Sequence, residues 1–483
     1  MRLPYDTLTR PLPSRFAIRF GGASHRHTDE GTTEQCSLRG ATSAAANIWA
    51  VILGYQLPHL SMTELLDRHR RVMGNDAPLF YDEPLELVKG EGVWLEDIAG
   101  RRYLDLYNNV PCVGHANPHV VAKLAEQAAV LNVHSRYLHD GVVDYVERLV
   151  GLHHDGIEAA ILGCSGTEAT EMALTLARGA TGKRGIICTD ATYHGNSSLV
   201  GRLSWLPVGT ERSGVKSIST PQLFRPLEAG LTEIDLLQRH LDELTSTIAS
   251  FDDEGGFAGV MLCSILANEG LPNPPAGWFA EAVGVVRDAG GLVIADEVQA
   301  GFARSGSWWG YETSGFVPDV VCMGKPMGNG FPLSAMAASH DLISGFRRRQ
   351  RYFNTFASSP LQAAAGAAVI DEITDRRLVH HVTEVGDRLR ASLTTLQPDH
   401  PRMGDVRGTG LFIGIDWVHP GSNEPDVEGA GQMVEVLKSG GMLLGKAGQY
   451  GNVLKIRPPL VFDHDDAAAF LDVFTTAVAD AHS

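Results

Sequence analysis

Six cysteines in 483 residues, none at a paired spacing and none in a CxxC, leave no basis for a disulfide framework or a cysteine-bound metal. Four of the six lie within or beside apolar, strand-like runs, where a free thiol packs as a small hydrophobe, so a reduced, cytoplasmic protein is expected. Long apolar runs are also missing. The early stretch Ile48–Tyr55 is too short to cross a bilayer, and it sits too far from the N-terminus for a signal peptide. Basic residues are outnumbered, 40 Lys and Arg against 57 Asp and Glu, for a net charge of −17. That balance argues against nucleic acid or an anionic membrane as a partner, while leaving a small anionic substrate open. The one HxxxH spacing, His115 to His119, is broken by Asn117-Pro118, so no metal site is expected there. No GxGxxG follows the first strand of a βαβ unit, which removes a dinucleotide-dependent dehydrogenase. No repeat or low-complexity tract is evident.

Glycine, by contrast, is plentiful. The 53 glycines are about 11% of the chain against a usual ~7%, as tight turns and close backbone approach to a ligand would require. The length exceeds one ordinary core and predicts two domains. Residues 1–60 lack periodicity and read as a non-catalytic arm, disordered or loosely packed, with a targeting segment or a start codon assigned too early as the alternatives. Ser61-Met62-Thr63-Glu64 is a helix-opening capping box. Residues 61–120 follow as the N-terminal segment of a smaller domain, with a hairpin from Gly92–Asp97 to Gly100–Asp105. Residues 121–370 alternate short apolar strands with helices. One predicted helix carries Ala169, Met172, Ala173, Leu176 and Ala177 on a single face. Another carries Phe279, Ala282, Val283 and Val286 and stops at Gly290-Gly291. Residues 371–483 form the rest of the small domain, with strands at Val406–Asp416 and Asn452–Arg457 and helices around Ala363–Ile373 and Asp465–Ala477. The class is α/β: a mainly parallel sheet flanked by helices, with a smaller α+β domain.

Three strand ends carry chemistry. Val320-Val321-Cys322-Met323-Gly324-Lys325 delivers a lysine, with glycines clearing space on both sides. A lone lysine after an apolar strand is usually a solvated loop residue. Gly291-Leu292-Val293-Ile294-Ala295-Asp296 delivers a carboxylate, which taken alone reads as a helix cap. Cys164-Ser165-Gly166-Thr167-Glu168 joins a strand to a helix N-terminus, a weak motif alone but one able to receive a phosphate. Parallel strands put all three at one edge of the sheet. A lysine for an imine, a carboxylate for a pyridine nitrogen and a phosphate cup match pyridoxal 5'-phosphate. Tyr193 and His194, after a further strand, add an aromatic for the ring face, and Gln299 a donor to the ring oxygen. Glu297 points to the other side of its strand.

These residues carry a resemblance. With Ile294–Gly306, Lys325 and Phe353-Asn354-Thr355-Phe356, the chain resembles the class III aminotransferases, pyridoxal-phosphate enzymes of fold-type I, from about residue 62 onward. The resemblance implies that Lys325 forms the Schiff base and that Asp296 pairs with the pyridine nitrogen. It implies that Ser165, Gly166 and Thr167 hold the phosphate and that Tyr193 stacks on the ring. It also implies that Thr355 reaches the cofactor phosphate of a neighbouring subunit, so that a homodimer shares its active sites. The activity implied is transfer of an amino group from an amine or amino acid to a keto acid or aldehyde.

Asn109–His115, Ser135–Asp140, Met323–Gly330 and Asn452–Pro459 are similar to the branch that eliminates phosphate and ammonia from phosphoethanolamine or phosphohydroxylysine. A phospho-lyase is therefore the alternative, and Arg136, Lys455 and Arg457 are the cations available for a substrate phosphate. A catalytically silent cofactor-binding dimer is a remote third reading. The chain departs from the family at Cys164, where asparagine is usual, at Ala357-Ser358-Ser359-Pro360, and at Cys263, where many members carry a glutamate that gates a substrate-binding arginine.

Overall fold

The computed structural model describes residues 61–204 and 213–480, so the arm expected over residues 1–60 lies outside the described residues. The first compact unit ends at Ala77. Its described element is a helix, Met62–Met73, opened by the predicted capping box: Ser61 Oγ accepts from Glu64 N at 3.3 Å and Glu64 Oε2 accepts from Ser61 N at 2.8 Å.

The second unit, Pro78 onward, is built on three sheets. β1 (Leu87–Glu91), β2 (Trp94–Asp97) and β3 (Arg102–Asp105) form an antiparallel meander. The expected hairpin is present, two residues shorter at each strand start, and β1 is an extra strand before it. The central sheet has seven strands: β4 (Ala159–Gly163), β5 (Gly185–Thr189), β6 (Val215–Ile218), β7 (Phe257–Cys263), β8 (Leu292–Asp296), β9 (Val320–Met323) and β10 (Ser334–Ala338), in the order β4-β10-β9-β8-β7-β5-β6. Among the described strands of this sheet, only β10 runs antiparallel to its neighbours. An antiparallel neighbour can be reached by a short link, whereas a parallel one needs a crossover. The Lys325 segment is a compact β9–β10 link whose first turn, Lys325–Gly328, is a short 3-10 helix.

Burial on both faces explains the near-continuous apolar strands. Every residue of β7, β9 and β10 is buried. The helix Gly166–Thr181 buries the predicted face, Ala169, Met172, Ala173, Leu176 and Ala177, together with Thr170 and Leu174. The helix Trp278–Asp288 likewise buries Phe279, Ala282, Val283 and Val286.

One expected strand is really two. Val406–Asp416 is a hairpin of β11 (Met403–Thr409) and β12 (Phe412–Trp417), turning at Gly410-Leu411. Gly410 sits at φ 53°, and a Cβ there would lie 2.7 Å from the Arg304 carbonyl oxygen, so glycine is required for both conformation and space. The turn is hidden because β11, partly buried, and β12, wholly buried, are joined by only Gly410 and Leu411. β13 (Met442–Leu443) pairs with β3 in parallel, while β14 (Gly445–Ala447) and β15 (Val453–Ile456) extend the β12 sheet. Asp416 anchors that third sheet. Burial would raise its pKa, yet Arg225, at 2.6 and 2.8 Å, and Arg407, at 2.8 Å, hold it below the usual carboxylate value. No helix among the described residues is long and apolar enough to cross a membrane.

Candidate active site

Because β5, β7, β8 and β9 run parallel, their C-terminal ends meet at one edge of the sheet, and a cavity of about 250 Å³ opens there. It is lined by Gly166, Thr167, Tyr193, His194, Gly195, Cys263, Asp296, Val298, Gln299 and Lys325. Three separate strand ends of the sequence reading thus converge on one small space.

Lys325 follows β9 at φ 20°, an uncommon backbone for a residue with a Cβ. Its Nζ has no hydrogen-bond partner among the described residues. Burial, and then repulsion from Arg457, lower its pKa to about 8, so the amine is partly neutral near physiological pH. The loop around it is pinned from the N-terminal side. Cys112 Sγ donates to Pro326 O at 3.2 Å, and Asn329 bonds Val113 N at 3.0 Å and Gly114 O at 2.9 Å. Two stretches noted in the sequence, Asn109–His115 and Met323–Gly330, are therefore one structural unit.

Asp296 ends β8 and caps no helix. One oxygen accepts from Val298 N at 3.0 Å and the other faces His194 Nδ1 at 2.6 Å. Glu297 turns away, fully buried, and accepts from Gly310 N and Tyr311 N at 2.8 Å each. Burial pushes its carboxyl up to about 7, against hydrogen bonds from Ser264, Gly310 and Tyr311. It serves packing, as its place on the far side of the strand predicts.

The helix N-terminus at Gly166-Thr167 lines the cavity, but Ser165 does not. Its hydroxyl is engaged as the cap, 3.3 Å from Glu168 N. Glu168 also holds Cys164 N at 2.5 Å and Asn354 Nδ2 at 3.2 Å, which ties the Phe353–Phe356 segment to the helix start. Gly324 permits the close approach of the lysine loop to this helix, since a Cβ there would stand 3.2 Å from Gly166 Cα. Tyr193 stays 40% exposed at the cavity rim. Arg136 and Thr355 lie outside the cavity. Arg136 stacks over Phe353, 4.0 Å from the ring centroid, and Thr355 is exposed.

Lys455 and Arg457 stand one layer behind the cavity, both 5% exposed. Lys455 Nζ donates to Ala267 O at 2.8 Å and to Gln299 Oε1 at 3.3 Å; Arg457 donates to the same Gln299 oxygen and to Tyr107 O. Gln299 therefore spends its carbonyl on two cations and its amide on Asn268 Oδ1, at 2.8 Å, and Asn268 in turn holds Tyr193 O at 3.0 Å. Sequence reasoning missed Asn268, Glu269 and Thr192. The first two sit in a buried loop where Leu266 and Leu271 adopt φ 47° and 57°, conformations no leucine advertises.

The donor set suits pyridoxal phosphate: a lysine amine of lowered pKa, a carboxylate fixed by histidine, and free backbone N–H groups at a helix N-terminus, around a space sized for one substituted ring. The Aminotransferase class-III family model matches residues 80–478. The chain belongs to the class III aminotransferases.

As a member it is an enzyme dependent on pyridoxal phosphate, with the α/β fold of fold-type I. An alanine–glyoxylate aminotransferase 2-like protein of Drosophila melanogaster is 33% identical over 85% of this chain and 86% of its own length. An ethanolamine-phosphate phospho-lyase homolog of Caenorhabditis elegans is 32% identical over 84% and 91%. A phospholyase from Arthrobacter, solved in complex with phosphoethanolamine, is 38% identical, with a TM-score of 0.83 over 86% of this chain and 99% of that one.

Proposed function

We propose that this enzyme is a phospho-lyase, eliminating phosphate and ammonia from a phosphoethanolamine-like primary amine. The observation that carries the reading is the buried pair Lys455 and Arg457, whose hydrogen-bond partners are all neutral amide and carbonyl oxygens. Neither forms an ion pair with a carboxylate among the described residues. Glu269 and Asp105 act on them only at longer range; burying cations without a directly paired anion is costly, and a substrate dianion offsets that cost. Arg457 is close enough to depress the Lys325 pKa, so its field acts where the reaction occurs. The similarity to the Arthrobacter phospholyase supports the same choice.

Bound pyridoxal phosphate supplies an electron sink for charge developed at the substrate Cα. Gly166 and Thr167 would hold its phosphate through backbone N–H groups and the helix dipole, and Asp296 would pair with its ring nitrogen. Lys325, lining the same cavity with a lowered pKa, would take the substrate Cα proton. From one layer behind the cavity, the positive field of Arg457 and Lys455 would stabilise the departing phosphate as the C–O bond breaks and its electron pair leaves with oxygen. Addition of one water then yields an aldehyde, ammonia and inorganic phosphate.

The test is holoenzyme with O-phosphoethanolamine and no keto acid. Repeated turnovers releasing phosphate and aldehyde in equal amounts are expected. Consumption of one amine per site with no phosphate would sink the reading. Arg457→Met should cost roughly 10–100-fold in kcat/KM, as loss of a hydrogen bond to a charged group predicts.

Transamination is the second reading, favoured by the 33% identity to an alanine–glyoxylate aminotransferase 2-like protein. A substrate carboxylate satisfies the same two cations, and the phosphate assay separates the cases.

The working form in this proposal is a homodimer. Phe356 is 77% exposed and Leu138 99%, beside Thr355 and the Arg136–Phe353 stack, and a second copy would cover this patch and receive Thr355 at its cofactor phosphate. Phe356→Asp should yield monomers with weakened cofactor retention by light scattering and absorbance. A variant that stays dimeric and fully loaded would count against this interface.

A further inference from the structure

One hydrogen-bonded chain leaves the cavity and ends on the Thr192 hydroxyl, next to a buried carboxyl that the chemistry above does not use. Asp296 Oδ2 meets His194 Nδ1 at 2.6 Å, and His194 Nε2 meets Thr192 Oγ1 at 3.1 Å. Beside Thr192 lies Glu269, 5% exposed, whose Oε1 accepts from Thr189 Oγ1 at 2.5 Å. Its second oxygen, Oε2, is buried with no hydrogen-bond partner. Burial raises the Glu269 pKa, while the Thr189 and Thr192 hydroxyls and His194 favour its charged form.

We propose that Glu269 is a positioning residue that sets the charge and tautomer of His194, and through it the field Asp296 presents to the cofactor's ring nitrogen. The argument turns on one proton. The Thr192 hydroxyl has a single hydrogen and two neighbours that want it. With Glu269 ionised, Thr192 donates to the free Oε2 and its oxygen accepts from Nε2–H, so His194 carries hydrogen on both nitrogens. With Glu269 neutral, the carboxyl O–H donates to Thr192, Thr192 donates to Nε2, and His194 keeps hydrogen on Nδ1 alone, facing Asp296. The proton count is the same in both states, but the positive charge sits against Asp296 only in the first. That charge weakens the hold of Asp296 on a protonated ring nitrogen. At higher pH the shared proton is lost and the relay becomes more negative.

Other charged and titratable groups face this relay. Cys263, at the end of β7, has its thiol pushed well up by burial and then by Glu269 and Asp296. Lys325 faces Asp296 across the cavity, and Lys455, whose pKa lies well below the ordinary lysine value because of burial and then Arg457, feels the Glu269 charge. A direct effect through Lys455 is the rival route, so the experiment separates it.

The inference depends on the cofactor and not on the lyase reading, so the measurement contains no substrate. Holoenzyme absorbance at roughly 400–430 nm is titrated across pH, with the cofactor dissociation constant measured in parallel. Glu269→Gln cannot ionise, so it removes the charge that favours a proton on His194 Nε2. Its absorbance profile should move by about one pH unit. Glu269→Asp should restore the wild-type profile. Thr192→Val breaks the relay and leaves the Glu269–Lys455 attraction in place, so it should reproduce the Glu269→Gln shift. Histidine ¹⁵N shifts of the apoenzyme supply an independent reading, with His194 neutral in Glu269→Gln. A Glu269→Gln profile superimposed on wild type overturns the proposal, even if thermal stability falls. So does a Thr192→Val profile that stays at wild type while Glu269→Gln moves, because the effect then runs through Lys455.

Discussion

Lys325→Ala is expected to lower turnover by at least ~10³-fold, the scale at which a positioned base contributes, and to leave protein without absorbance at roughly 400–430 nm. Two features of the site set this size. No other amine lines the cavity among the described residues, so nothing replaces Lys325 as partner to the cofactor carbonyl or as base at Cα. The amine is also prepared for both tasks. An ordinary lysine, near 10.4, is almost wholly charged at neutral pH, whereas burial and the Arg457 cation bring Lys325 to about 8. The neutral amine is the nucleophile, so the rate of cofactor capture by the wild-type apoenzyme should rise with pH and level off above about 8. A rate that is flat from pH 6.5 to 9.5, or a Lys325→Ala variant that keeps a tenth of wild-type turnover, contradicts the assignment.

Asp296→Asn should cost about 10²–10³-fold in kcat, the scale of one preorganised electrostatic group in a water-poor site. The substitution keeps the shape and the acceptor for Val298 N, 3.0 Å away, but removes the charge that pairs with a protonated ring nitrogen. Cofactor binding should survive, because Gly166, Thr167 and Lys325 are untouched. His194→Gln should cost less, roughly 10-fold, since the histidine acts only through Asp296, which it holds at 2.6 Å. The double variant should resemble Asp296→Asn alone, because groups acting as a unit do not add. If Asp296→Asn instead loses the cofactor and keeps its kcat when reloaded, the carboxylate is an anchor and not an electrostatic partner.

The strands that deliver these two residues were readable because burial on both faces demands continuous apolar sequence. Ile294-Ala295 and Val321-Cys322 state their position without help from neighbours. The turn at Gly410 was not readable, since a partly buried strand joined to a buried one by a two-residue turn looks like one longer strand. Ser165 illustrates a different limit. Its type fits a phosphate ligand and a helix cap equally, and only the position of Glu168, 3.3 Å away, assigned it to the cap.

Local sequence by itself determined the α/β class, the capped helices, the lysine, the carboxylate and the helix N-terminus at strand ends, because each depends on periodicity or on residues a few positions apart. Tertiary structure alone decided what stands behind them. Lys455 meets Ala267 across 188 positions and Gln299 across 156, and His194 meets Asp296 across 102. Such contacts leave no local pattern. A buried cation, a shared proton or a leucine at positive φ is tolerated only because distant segments close around it, and the energy that permits each is a property of the packed fold.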